Sequence, residues 1–136
     1  MRVVPVTRLD HLVLTVRDLA RTIAWYRDVA GMRPVTFGEG RHALMFGDQK
    51  INLHQAGREF EPKAATPLPG SADLCVIVDE GPGELGRRLE RLGQPIELGP
   101  VTRDGAIGTL VSVYLRDPDG NLVELSSYVD PAAAGA

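Results

Sequence analysis

The sequence predicts an α+β fold built from two consecutive βαβββ modules, which form a curved mixed sheet with a half-barrel cleft and helices on the outside. Length and composition fit this prediction, because 136 residues with 43% hydrophobic and 24% charged side chains are ordinary for one globular domain. An internal repeat in the sequence supports the prediction of two modules. One common offset along the chain aligns Leu12–Val16 with Leu74–Val78 and Gly31 with Gly93. Paired copies of this kind bury a common core, so we treat residues 1–136 as a single domain.

The first module covers about residues 6–55. A strand is predicted over Leu9–Val16, and Asp18 is placed to cap a helix that ends before Gly31. Three β-type runs follow, near residues 33–37, 43–46 and 50–54, and glycine-containing turns separate them.

Residues 56–71 predict a linker, since they hold three prolines and few strand formers. The second module covers about residues 72–128, with a strand at 72–78, a helix at 84–92 and strands near 96–98, 110–115 and 121–127. In the last strand, where Ile51–Leu53 aligns with Val123–Leu125, the offset is larger, and we expect the extra residues in a glycine-rich loop at 99–108. Residues 130–136 predict a disordered tail.

Composition also limits the partners. The net charge is −3 and the basic residues are scattered, which argues against nucleic acid or a membrane surface. No apolar stretch reaches the roughly 18 residues of a membrane span. The single cysteine, Cys75, excludes an internal disulfide and favours the cytoplasm. We expect a homodimer, because the modules leave strand edges for a partner to cover.

Strand alternation places one or more polar side chains on the sheet faces turned away from the helices. These candidate metal ligands are His11, His54, Asp73 and Glu124, with Asn52 beside His54 on the same face. Imidazole and carboxylate groups together suit a divalent Mn, Fe, Ni or Zn ion.

Three segments carry a family resemblance: Leu9–Val16, Trp25-Tyr26 before Gly31-Met32, and Arg116–Leu125. Over about residues 6–128 the chain resembles the vicinal oxygen chelate superfamily, which includes glyoxalase I, extradiol dioxygenases, fosfomycin-resistance enzymes and bleomycin-binding proteins. Lys50–His54 and Gly70–Cys75 are similar to a subfamily of glyoxalase-domain or dioxygenase-related proteins.

The resemblance implies one divalent metal ion held by the first and last strands of each module. His11 and Glu124 match that pattern. Asp73 stands where a histidine is commonest, and Asn52 stands where glyoxalase I has a glutamate. His54, two residues further on, is the candidate to supply the missing ligand.

The expected function is therefore a metal-dependent lyase, isomerase or ring-cleaving dioxygenase acting on a small oxygen-chelating substrate. Glu124 and His54 are the candidate catalytic residues, and the candidate substrate contacts are Asn52, Phe60, Arg103 and Tyr114. A set of His11, His54 and Glu124 favours iron and oxygenase chemistry, whereas a set with Asp73 favours manganese and a lyase or isomerase.

Two alternatives stay open. One is a metal-free binding protein of the bleomycin-resistance type, against which an aromatic content of only 5% weighs. The other is a regulatory or virulence-associated interaction protein that kept the fold and lost the chemistry.

Overall fold

A computed structural model describes residues 3–129. They fall into two compact units, residues 3–68 and residues 69–129, and each is described by itself. The element order is βαβββ in both units, which confirms the predicted tandem α+β architecture. The division between the units falls inside the stretch predicted as a linker. The predicted tail at 130–136 lies outside the described residues.

The first unit contains one helix and a four-stranded mixed sheet. Its elements are β1 (His11–Val16), α1 (Leu19–Asp28), β2 (Arg33–Phe37), β3 (Arg41–Phe46) and β4 (Gln49–Gln55). The strand order is β1-β4-β3-β2, in which β1 and β4 are parallel and the other neighbours antiparallel. The predicted N-cap is present, since the Asp18 side chain accepts a hydrogen bond from the Arg21 backbone N–H at 3.0 Å. Fully buried Tyr26 anchors α1 in the core.

The second unit repeats this plan. Its elements are β5 (Asp73–Ile77), α2 (Pro82–Arg91), β6 (Leu98–Asp104), β7 (Thr109–Arg116) and β8 (Leu122–Tyr128). The strand order is β5-β8-β7-β6, with β5 and β8 parallel. Leu89, Val123 and Leu125 are completely buried in its core.

The strand registers make the two units equivalent residue by residue. Val13 pairs with Asn52 in the first unit, and Cys75 pairs with Glu124 in the second. The smaller offset derived from the sequence relates Val13 to Cys75, in the first strand of each unit. The larger offset relates Asn52 to Glu124, in the last strand of each unit. Asn52 and Glu124 therefore occupy corresponding positions.

The expected loop at 99–108 is wrong for most of its length, because residues 98–104 form strand β6. The signal that misled was Gly99-Pro100, which lies in a register irregularity between Leu98 and Val101. Gly99 is needed there, because a Cβ on this residue would lie 2.5 Å from the Ser112 carbonyl oxygen. Beyond it, pairing with β7 outweighs the turn chemistry of the sequence.

A buried turn fixes where β5 and β8 begin. Asp117 Oδ1 accepts hydrogen bonds from the backbone N–H groups of Asp119 and Asn121, both at 2.9 Å. The Asn121 amide donates to Asp117 Oδ2 at 2.8 Å, and its oxygen accepts from the Ala72 N–H at 2.8 Å. The turn thereby ties the residue before Asp73 to the start of the last strand.

Candidate functional site

His11 opens β1 on the sheet face turned away from the buried core residues Leu14 and Val16. Its Nδ1 lies 2.8 Å from Asp10 Oδ1, and the imidazole is partly exposed. This hydrogen bond is the main reason that the pKa of Asp10 lies below its usual range. A carboxylate that accepts from Nδ1 orients the ring and leaves Nε2 available, an arrangement typical of metal-binding histidines.

Asn52 carries an unsatisfied polar atom on the same face. It lies between Val13 on β1 and Ala43 on β3, and neither side chain can donate a hydrogen bond. Its Oδ1 is buried and has no hydrogen-bond partner among the described residues. Such an oxygen costs about 1–3 kcal/mol, so its position favours a cation or a donor supplied by a ligand.

His54 is 9% exposed and also lies on this face, against the linker. Its ring packs edge-to-face on Phe60 at 5.7 Å, and the Arg41 guanidinium stacks over Phe60 at 4.4 Å. Burial, and secondarily the charge of Arg41, lowers the pKa of His54. The structure therefore brings together His54 and Phe60, a predicted catalytic residue and a predicted substrate contact.

The register separates His54 from His11. His11 pairs with Lys50, and His54 lies four residues further along β4, a distance of roughly 13 Å along the strands. Strand side chains stand perpendicular to the sheet, and a metal–nitrogen bond is only about 2.1 Å long. The register thus favours Asn52, two residues from the His11 position, as the ligand that accompanies His11. His54 as a ligand stays a prediction.

In the second unit, Glu124 is half-buried on β8. Its Oε2 accepts a hydrogen bond from the Ser126 hydroxyl at 3.3 Å, and it pairs with Cys75 on β5 and Tyr114 on β7. Burial is the main cause of a raised pKa of the Cys75 thiol, and the Glu124 carboxylate raises it further.

Asp73 lies exposed at the start of β5, opposite Leu122, so it precedes the Glu124 register position by two residues. This is the same stagger that relates His11 to Asn52. We call the two sets the half-sites: His11 with Asn52, and Asp73 with Glu124.

The two remaining substrate candidates are in contact with each other. Arg103 Nε donates to the Tyr114 hydroxyl at 3.0 Å, and the guanidinium lies 5.5 Å from the ring. Arg103 was expected in a loop and belongs instead to β6. Because Tyr114 pairs with Glu124, this polar pair extends the Glu124 half-site across the sheet.

Sequence reasoning missed the roles of Asp10 and Arg41. Asp10 precedes His11 directly, which is a usable signal. Arg41 gains its contact with Phe60 through the path of the linker, which nothing in the local sequence indicates. Ser126 lies two residues from Glu124, so strand alternation places both side chains on one face, where the Ser126 hydroxyl donates to Glu124. Across residues 3–129, no three His, Cys, Asp or Glu side chains are grouped as a set of metal ligands. No helix in that range is both long enough and apolar enough to cross a membrane.

Comparison with known proteins identifies relatives that match most of the chain. Residues 8–125 match the family model of the Glyoxalase/Bleomycin resistance protein/Dioxygenase superfamily. Virulence protein STM3117 of Salmonella typhimurium strain LT2 is 53% identical over 124 residues, which cover 91% of this chain and 86% of the relative. Glyoxalase domain-containing protein RDO1 of Mycosarcoma maydis is 52% identical over 129 residues, covering 95% and 73%.

Solved structures agree with this placement. The crystal structure of the Salmonella protein aligns with a TM-score of 0.91 at 52% identity. The alignment covers 93% of this chain and 100% of the Salmonella chain. Lactoylglutathione lyase from Agrobacterium tumefaciens aligns with a TM-score of 0.69 at 28% identity, covering 90% and 95%.

Proposed function

Because the chain belongs to the glyoxalase/bleomycin resistance/dioxygenase superfamily, we propose that it is a divalent-metal-dependent enzyme acting on a small oxygen-chelating substrate. The observation that carries the proposal is the buried Oδ1 of Asn52, which lacks a partner among the described residues. Its neighbour His11 is held by Asp10 with Nε2 available. Both features suit a bound cation.

The donors present fit a divalent ion. Each half-site offers one residue from the first strand of its unit and one from the last, which are an imidazole and an amide in the first unit and two carboxylates in the second. Nitrogen and oxygen donors of these kinds suit Mn²⁺, Fe²⁺, Ni²⁺ or Zn²⁺. When bound, such an ion supplies Lewis-acid polarisation of substrate oxygens.

The surrounding residues are proposed to bind substrate and move protons. Arg103 and Tyr114 are proposed to hold a polar substrate group near Glu124, with Tyr114 donating its hydroxyl proton because that oxygen already accepts from Arg103. Phe60 is proposed to exclude water beside His54. His54 and Glu124 stay the candidate proton-transfer residues.

Asn52 bears on the reaction. An amide is not a proton acceptor at neutral pH, so it cannot act as a general base at its position on β4. We therefore expect no lactoylglutathione lyase activity from this chain. The proposed reaction is a lyase, isomerase or dioxygenase step whose base lies elsewhere, at His54 or Glu124.

Elemental analysis tests the proposal. Tag-free protein is purified without chelator, aerobically and anaerobically, alongside His11→Ala and Glu124→Ala variants. His42→Ala is the matched control, because His42 lies on the other face of its sheet. We expect near-stoichiometric metal in the wild type and the control, and its loss in both half-site variants. A wild type that binds no ion after reconstitution with Mn²⁺, Fe²⁺, Ni²⁺ and Zn²⁺ would refute the metal-dependent function and favour the metal-free binding protein.

The same preparations decide between His54 and Asn52. If His54 is not a ligand, His54→Gln retains the metal, whereas Asn52→Leu loses it. The proposed homodimer is tested by sedimentation. A species at the chain mass of 14.7 kDa would contradict it.

A further inference from the structure

A cavity lies in the first unit, on the other side of the sheet from His11 and Asn52. Its volume is about 420 Å³, within the range of small-molecule sites. Leu53 lines it, and successive strand residues point to opposite faces, so the cavity is on the face that Asn52 does not occupy. Its lining includes His42, Leu53, Gln55, Ala56, Arg58 and Phe60.

The lining has a consistent chemistry. Leucine, alanine and phenylalanine side chains form its apolar walls, and Arg58, His42 and Gln55 supply polar groups. No carboxylate among the described residues lines the cavity, although acidic side chains outnumber basic ones in the whole chain, 18 to 15. An apolar wall with an arginine and no acid is suited to an organic anion.

The walls are fixed by bonds within the unit. The Gln55 amide donates to the Arg17 carbonyl at 2.6 Å, and the Ala56 N–H donates to the Val16 carbonyl at 2.8 Å. The Arg58 N–H closes a turn on the Gln55 carbonyl at 2.9 Å. These contacts attach the segment that carries Arg58 to the connection between β1 and α1, so the site requires little ordering when a ligand binds.

We propose that this cavity binds a small organic anion with an aromatic or aliphatic body, whose charged group contacts the Arg58 guanidinium. The cavity contains none of the half-site residues, and it shares Phe60 with the surroundings of His54.

The test compares two fluorescent probes with the same aromatic body. Anilinonaphthalene sulfonate carries a sulfonate, and phenylnaphthylamine is its neutral counterpart. Both are titrated into the full chain in the presence of EDTA, so that metal plays no part. The variants are Arg58→Gln, Ala56→Trp, which fills the cavity, and Arg87→Gln, a matched control on α2 in the second unit. Circular dichroism verifies that each variant is folded.

We expect the sulfonate probe to bind at one site per chain, and Arg58→Gln to weaken its binding about tenfold, the effect of losing one charge-assisted hydrogen bond. Arg87→Gln should leave the affinity unchanged, and Ala56→Trp should abolish binding. Arg58→Gln should not alter the neutral probe. Equal affinities for the two probes, or no response to Arg58→Gln, would overturn the proposal. Binding that survives Ala56→Trp would also overturn the proposal, because the probe would then bind outside the cavity. If Ala56→Trp does not fold, Arg58→Glu replaces it in the test, and this variant must weaken binding of the sulfonate probe further than Arg58→Gln does.

Discussion

Replacing Asn52 by leucine separates the stability of the chain from its proposed function. The Asn52 oxygen is buried between Val13 and Ala43 without a partner among the described residues. Leucine has a similar shape and no polar atom, so Asn52→Leu removes the desolvation cost and leaves the packing in place. We expect the metal-free protein to become more stable.

The magnitude follows from that single atom. One unsatisfied buried oxygen costs about 1–3 kcal/mol, so the free energy of unfolding without metal should rise by about this amount. For a chain of this size the rise corresponds to roughly 3–12 °C in Tm. With metal the order should reverse, because an ion at about 1,000 times its Kd stabilises the wild type by about 4.1 kcal/mol and the variant by none.

The assay is thermal unfolding followed by circular dichroism, with EDTA and then with a titrated divalent ion. Val13→Leu is the matched control, since it changes a neighbouring apolar side chain and leaves the amide in place. It should keep the metal-dependent rise in Tm. A lower Tm of Asn52→Leu than of the wild type in EDTA would refute the claim that the Asn52 oxygen is buried without a partner. A full metal-dependent rise in the Tm of that variant would refute the claim that Asn52 is a metal ligand.

Three further outcomes are expected. The pKa of His54 is lowered below its ordinary 6.5, so at pH values just below 6.5 the unfolded state binds more protons than the folded state. The free energy of unfolding should therefore fall as pH falls through 6.5. His54→Gln should flatten this pH dependence in urea titrations, and an unchanged pH dependence would contradict the prediction. Gly70 has φ +79°, and a Cβ added to it would lie 2.5 Å from the Asp119 carbonyl oxygen, so Gly70→Ala should lower the free energy of unfolding by about 2 kcal/mol or more. Gly86 lies in open space on α2, so Gly86→Ala should raise it by about 0.5–1 kcal/mol. Equal effects of the two variants in chemical denaturation would count against the close contact at Gly70. The rate of thiol modification at Cys75 should rise with pH, with a midpoint above 9.0, the ordinary pKa of a cysteine thiol. Glu124→Gln should lower that midpoint, and an unchanged midpoint would show that the carboxylate does not act on the thiol.

Local sequence signals were sufficient for most of the fold. Alternating apolar residues predicted the strands, and Asp18 predicted the start of α1, because capping and burial depend on neighbours in the chain. The two repeat offsets also match the strand registers. The exception was β6. Gly99-Pro100 has the local chemistry of a turn, and only pairing with β7 makes the following residues a strand.

The candidate site depended more on tertiary structure. The sequence by itself determined which residue types can bind a metal and which face of each strand they occupy, because alternation is a property of the extended backbone. It did not determine that His54 lies four residues from the His11 position, that Asp10 orients His11, or that the Asn52 oxygen lies between two apolar side chains. Strand register and burial arise from contacts between residues far apart in the chain, such as His11 and Lys50. These distant contacts favour Asn52 over His54 beside His11, because a ligand must lie within reach of the ion.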